Sequence, residues 1–230
     1  MNALITGASS GIGEAIAELF SKMNINLFLT ARNEERLSKV SGRCQNNNVE
    51  VYYATGDVRS SQECNKIFSS AIGKLGKLDI LIANAGVGHF DFFENFTDQQ
   101  YDATFDTNVR GVFNYLRLAI PHMKEKNSGQ IIIISSISAL ETYKRGGLYC
   151  ASKYAIQSMA ETLRKELSET RVKVATINPG SVDTPWFDKQ MNFDNDRRKT
   201  MLHPSDVAEA AKFIIEQKSS SNVDKIVLKY

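Results

Sequence analysis

A chain of 230 residues has room for one domain with a sizeable core. Its 28 Lys and Arg nearly balance 26 Asp and Glu, and a net charge of +2 gives no general attraction to nucleic acid or to a membrane surface. Gly and Pro (14 and 4) are too few for a fibrous or disordered chain, and three scattered cysteines without a CxxC spacing indicate neither a disulfide framework nor a zinc site.

The opening MNALITG lacks a basic stretch followed by a long apolar one, and no apolar run approaches the ~20 residues of a spanning helix. A cytoplasmic protein with reduced thiols is the expectation. Short apolar runs at 3–5, 27–30, 51–54, 80–84, 131–135, 174–177 and 226–228 predict strands, most of them apolar on both faces as buried parallel strands are. Between them lie helical stripes: Ile12, Ile16, Leu19, Phe20 and Met23, then Cys64, Ile67, Phe68, Ala71, Ile72 and Leu75. This alternation predicts a single α/β domain over 1–230: a doubly wound, Rossmann-like parallel sheet of seven strands with helices on both faces. His89, His122 and His203 stand far apart, so no metal site is expected.

Three stretches carry chemistry. ITGASSGIG, between the first strand and the first helix, contains Gly7, Gly11 and Gly13. The spacing is not GxGxxG, but the logic is the same: glycines admit backbone close to a pyrophosphate, and a helix N-terminus presents free N–H groups. Ser9, Ser10 and Ile12 complete that cradle. FLTARNEE puts Arg32 and then Asn33 after the second strand, with no acid at Thr30 or Ala31. An arginine there suits a 2′-phosphate, whereas an NAD site places an acid in this region. Glu34 and Glu35 read as first-turn acids of the next helix. In YCASK, Tyr149 and Lys153 are four residues apart, on one face of a helix. A nearby ammonium favours the phenolate of a tyrosine whose free pKa is near 10.

The ordered set TGASSGIG, GDV, ANAG, TNVRG, ISS, YCASK and NPGSVDT resembles the short-chain dehydrogenase/reductase family across nearly the whole chain. The C-terminal stretch from His203 is similar, less specifically, to its NADP-dependent 3-hydroxy acid dehydrogenase branch. The resemblance implies an NADP(H)-dependent oxidoreductase moving a hydride between nicotinamide and a carbonyl or secondary alcohol. It implies Tyr149 as general acid/base, Lys153 as its tuner and holder of the ribose, Ser136 as polariser of the substrate carbonyl, and Asn108 holding a relay water. Ser136, thirteen positions before Tyr149, is preferred to Ser135 and Ser138; a helix-bending role is the alternative for Asn108. For the cofactor it implies Asp57 and Val58 at the adenine, Asn84, Ala85 and Gly86 along the adenosine, and Pro179, Gly180, Val182 and Thr184 at the carboxamide. Asn84 is also read as a tie between strands.

The resemblance implies that residues 186–203 form a substrate lid, in which Trp186, Phe187 and Met191 either face an apolar ligand or pack onto the body, and Arg197, Arg198 and Lys199 read as a solvated face rather than a carboxylate clamp. Phe90, Phe92, Phe93, Tyr143 and Leu148 are further wall candidates, and Lys144 and Arg145 are placed to meet an acid group, so the small-molecule substrate stays open. No nucleic acid or membrane partner is expected. The family resemblance implies a homodimer or homotetramer through long helices over 98–126 and 149–169. An NADPH-binding regulatory or redox-sensing module without turnover is the alternative function.

Overall fold

The computed structural model describes residues 1–45, 47–188, 198–218 and 220–230. Its strands are β1 (Asn2–Thr6), β2 (Asn26–Ala31), β3 (Val51–Thr55), β4 (Ile80–Ala83), β5 (Gly129–Ile134), β6 (Val172–Pro179) and β7 (Lys225–Leu228). They form one sheet in the order β3-β2-β1-β4-β5-β6-β7. Every pairing is parallel. All seven expected strands are present. β4 closes one residue early, at Ala83, and β5 closes at Ile134, so Asn84 and Ser135 already belong to the turns that follow.

Alternation along each strand decides which face a residue serves. Ala3, Ile5, Leu27, Leu29, Ile80, Ile82 and Ile132 pack against α1 (Gly11–Lys22), α2 (Glu34–Gln45) and α8 (Pro204–Ile215). Leu4, Phe28, Leu81, Ile131, Ile133 and Val174 pack against α3 (Ser61–Leu75), α5 (Gly111–Glu125) and α6 (Gly147–Glu166). Both faces of the central strands are therefore apolar, as the sequence predicts.

Local chemistry sets the helix ends. Ser60 caps α3 by accepting from the Glu63 amide, and Thr97 with Gln100 forms a capping box at α4 (Asp98–Phe105). The segment expected as one long helix over 98–126 is interrupted by a π-turn, Asp106–Arg110, between α4 and α5. A four-residue helix, α7 (Pro185–Asp188), follows β6. Half of the expected lid over 186–203, residues 189–197, lies outside the described residues, Met191 and Arg197 included.

Strand order reverses at β1, which has β2 on one side and β4 on the other. Ligands of open α/β sheets bind at such a switch point, beyond the strands' carboxyl ends. Ile132 is fully buried between the helix layers. Ile132→Ala should lower unfolding free energy by about 2–5 kcal/mol, measured by urea denaturation; a loss under about 1 kcal/mol would mean that the sheet is not buried as described.

Candidate active site

The carboxyl ends of β1 and β4 are tied by one hydroxyl. Thr6 Oγ1 accepts from the amides of Asn84 (3.0 Å) and Ala85 (3.1 Å). The Asn84 amide group donates back to the carbonyls of Thr6 (3.0 Å) and Gly7 (3.2 Å). Asn84 thus serves as the strand tie. Gly7 (φ +66°) takes a left-handed conformation, and a Cβ there would lie 2.9 Å from Ala85 Cα. Gly11 (φ +59°) is left-handed too, and a Cβ would lie 2.9 Å from Thr184 Cγ2. The glycine turn and the segment after β6 are therefore in contact. Ser10 precedes α1 in extended conformation without a side-chain cap. The first amides of α1 thus open onto this cleft, lined by half-buried Ser9, Ser10, Gly11 and Ile12 over buried Gly13.

Past β6, the Gly180 amide donates to Leu228 (2.9 Å), Val182 is buried and bridges to Leu202, and Thr184 is buried against the turn. Pro179 closes β6.

At the other end of the cleft, Arg32 is exposed just after β2. Asn33 Oδ1 accepts from the Arg36 amide (2.8 Å) at the start of α2. Asp57, two residues past β3, is gripped by Arg59 through Nε (2.9 Å), Nη2 (2.6 Å) and its backbone amide (3.0 Å). Burial pushes the Asp57 carboxyl up, but the Arg59 bonds and charge, with Arg32 adding, hold it below its ordinary value. Val58 is fixed by Asn114, which donates to its carbonyl at 2.8 Å. Arg59 escaped the sequence reading, although it follows GDV directly.

The proton-handling candidates gather where β5 ends and α6 begins. Ser136 is buried, and its hydroxyl donates to Ser138 Oγ (3.0 Å), which donates to the Tyr143 hydroxyl (3.3 Å). Asn178, on β6, donates to the Ser136 carbonyl (2.9 Å) and fixes this turn. Ser135, the rival candidate, is buried with no hydroxyl partner among the described residues. Lys153 is buried; its ammonium donates to the Ile134 carbonyl (3.1 Å) and stands 5.6 Å from the Tyr149 ring centroid. Asn108, in the π-turn, exchanges two bonds of 2.8 Å with the Val87 backbone and donates to Ser152 Oγ (2.9 Å). Ser152 in turn donates to the Tyr149 carbonyl (2.7 Å). A Cβ on Gly86 would lie 3.3 Å from Asn108 Oδ1 and 3.9 Å from Lys153 Nζ. Asn108, Gly86, Lys153, Tyr149 and Ser136 therefore form one cluster, and Asn108 also sits where the long helix departs from regular geometry. Ser152 and Asn178 lie inside the quoted motifs, but nothing in their spacing announces these bonds.

The expected depression of Tyr149 by Lys153 is not seen in the free protein. Burial raises the phenol above its ordinary value, opposed by the Ser136 hydroxyl. Burial likewise pushes the Lys153 ammonium down to about 8. Desolvation disfavours both charged forms and outweighs their proximity.

Among the described residues no helix is long and apolar enough to cross a membrane, and no cluster of three or more His, Cys, Asp or Glu is placed for a metal ion. The three cysteines are free and buried.

The geometry has counterparts. A family model described as short chain dehydrogenase matches residues 1–195. A protein of Staphylococcus saprophyticus named an uncharacterized oxidoreductase is 37% identical over 231 residues, 99% of this chain and 96% of its own. The structure of an alcohol dehydrogenase from the archaeon Thermococcus sibiricus, complexed with 5-hydroxy-NADP, is 28% identical with a TM-score of 0.91, over 99% of this chain and 95% of that one. A short chain dehydrogenase/reductase from Burkholderia phymatum in complex with NAD is 26% identical with a TM-score of 0.89, over 98% and 88%.

Lys153 titrates near 8 when folded, against an ordinary value of 10.5. Between these values the unfolded chain holds the extra proton, so this residue makes stability rise with pH across that window and weakens the fold below it. Urea unfolding of the cofactor-free protein at pH 7 and pH 10 should show a rise that Lys153→Met lacks, on the order of 3 kcal/mol at most. The same pH dependence in both proteins would rule out a desolvated ammonium.

Proposed function

Because the chain belongs to the short-chain dehydrogenase/reductase family, we propose that it is an NADP(H)-dependent oxidoreductase interconverting a carbonyl and a secondary alcohol on a small molecule. The observation that carries the reading is the convergence of Ser136, Tyr149, Lys153 and Asn108 beside the glycine turn. The residues present fit a nicotinamide dinucleotide: the Gly7 and Gly11 turn and the uncapped start of α1 for the pyrophosphate, Asp57 for the adenine, Arg32 for a 2′-phosphate, and Ala85, Gly86, Lys153 and Thr184 along the nicotinamide half. When bound, that cofactor supplies or takes up the hydride.

The chain's own residues position the substrate and move a proton. The Ser136 hydroxyl points and polarises the carbonyl oxygen. Tyr149 donates its proton to that oxygen in reduction and accepts one from the alcohol in oxidation. A phenol held neutral by burial is ready to donate; oxidation requires the phenolate, which Lys153 stabilises when protonated. Asn108 and Ser152 hold α6 against the loop after β4, keeping Lys153 beneath the tyrosine ring. The expected homodimer or homotetramer remains part of the proposal, supported by exposed Phe113 on α5 and Tyr154 on α6.

The test is steady-state consumption of NADPH and NADH across aldehydes, ketones, quinones and, in reverse, hydroxy acids. NADPH binding without turnover of any of them would instead favour a sensor. Tyr149→Phe should lower kcat by about 10²–10⁴ with NADPH affinity nearly unchanged, since the ring's packing survives; near-normal kcat would sink the mechanism.

Cofactor choice yields a sharper prediction. Wild type should favour NADPH over NADH at least about tenfold in kcat/KM, and Arg32→Ala should erase most of that through KM. Arg59→Met should also raise KM for NADPH, because Asp57 would then present its charge to the 2′-phosphate. Adding Asp57→Asn to Arg59→Met should restore much of the loss. No recovery would show that Arg59 meets the phosphate itself.

A further inference from the structure

The substrate side of the cluster is built from rings. Phe90 stands 5.4 Å from the Tyr149 ring, tilted by 57°. Trp186 stands 5.7 Å from Tyr149 and 5.7 Å from Phe90, edge-on to the latter at 81°. Tyr143 stacks on Phe90 at 6.4 Å and 27°. All four separations fall in the range that aromatic pairs prefer. The rings rest on backbone with no side chain of its own. A Cβ at Gly88 would lie 2.5 Å from Trp186, one at Gly146 2.6 Å from Tyr143, and one at Gly147 2.9 Å from Phe93. Phe90, Tyr149 and Trp186 are each half-buried.

Three cations near this space among the described residues have partners of their own. Lys144 stands 5.3 Å and Arg145 5.7 Å over the Phe92 ring, and Arg145 also pairs with Asp91 at 3.8 Å. Beyond β6, Arg198 pairs with Asp183 at 2.7 Å. A carboxylate entering here would have to draw these groups from existing partners. A chain of hydroxyls, Ser136 to Ser138 to Tyr143, reaches the ring cluster.

We infer that the substrate is a neutral carbonyl or alcohol carried on an aromatic or conjugated ring, held against the Phe90, Trp186 and Tyr143 rings with its oxygen at Ser136 and Tyr149. This rests on the oxidoreductase reading of the same site. The rings give a planar substrate stacking partners that a short aliphatic one cannot use, and Lys144, Arg145 and Arg198 would have to leave their present partners to meet a short hydroxy acid.

Trp186 is the only tryptophan in the chain, so its emission reports this site alone. Titrating the full-length protein with acetophenone should change that emission saturably, while acetone at equal concentration should not. In steady state with NADPH, acetophenone and a naphthoquinone should exceed butanone and acetoacetate in kcat/KM by at least about tenfold. Phe90→Ala should collapse that ratio mainly by raising KM for the ring-bearing substrates. Trp186→Phe keeps a ring and should preserve the ratio, which separates loss of stacking from misfolding. Preference for butanone or acetoacetate would overturn the inference and leave the oxidoreductase reading standing. Unchanged Trp186 emission with acetophenone, in a protein that turns over another carbonyl, would overturn it too. NADPH binding with no turnover of either set would remove both readings.

Discussion

Parallel pairing of all seven strands brings every carboxyl end to one edge of the sheet, and the site depends on that before it depends on any side chain. Residues far apart in the chain become neighbours only because of it. The glycine turn after β1 meets Thr184 after β6, and the loop after β4 meets a lysine on α6. Buried strands cannot leave their last polar groups unsatisfied, so the edge is finished with side-chain bonds. Thr6, Asn84 and Asn178 do this work, and in doing it they fix the loops that line the cleft.

The cluster at the end of β5 illustrates a conflict between stability and electrostatics. The fold shields a buried ammonium and a half-buried phenol from water, and that burial disfavours the charged form of each. The same exclusion makes any charge change nearby count for more than it would in water. Asn108 holds this arrangement from a π-turn, a geometry often found at functional sites because it redirects one side chain without ending the helix. Its two bonds to Val87 and its bond to Ser152 secure the loop and α6 at once, so the helix-bending reading and the site reading of Asn108 describe one device.

The family, the order of the strands along the chain and the two-faced core were legible in the sequence. Apolar runs of strand length alternating with amphipathic stripes allow few other folds, and seven short motifs arrive in order, five at strand ends and two on helical segments. Gly7 and Gly11 were legible as a close-approach turn because no other residue tolerates that backbone so readily. What needed the structure was the destination of side chains whose partners are distant in sequence. Arg59 looks like any loop arginine until it is found clamped on Asp57. Asn33, expected as a cofactor contact, also turns out to cap α2 with its side-chain oxygen.

The same division holds for the chemistry. The sequence alone determined that Tyr149 and Lys153 share a helix face, because helical spacing is local. Only the tertiary structure decided their protonation preferences, since desolvation depends on what the rest of the fold packs around them. The order of the motifs and the family resemblance likewise placed Phe90, Tyr143 and Trp186 near the cleft without relating them to one another. Their meeting around Tyr149 is a product of three separate loops docking on one sheet edge, and no pattern confined to neighbouring residues encodes that.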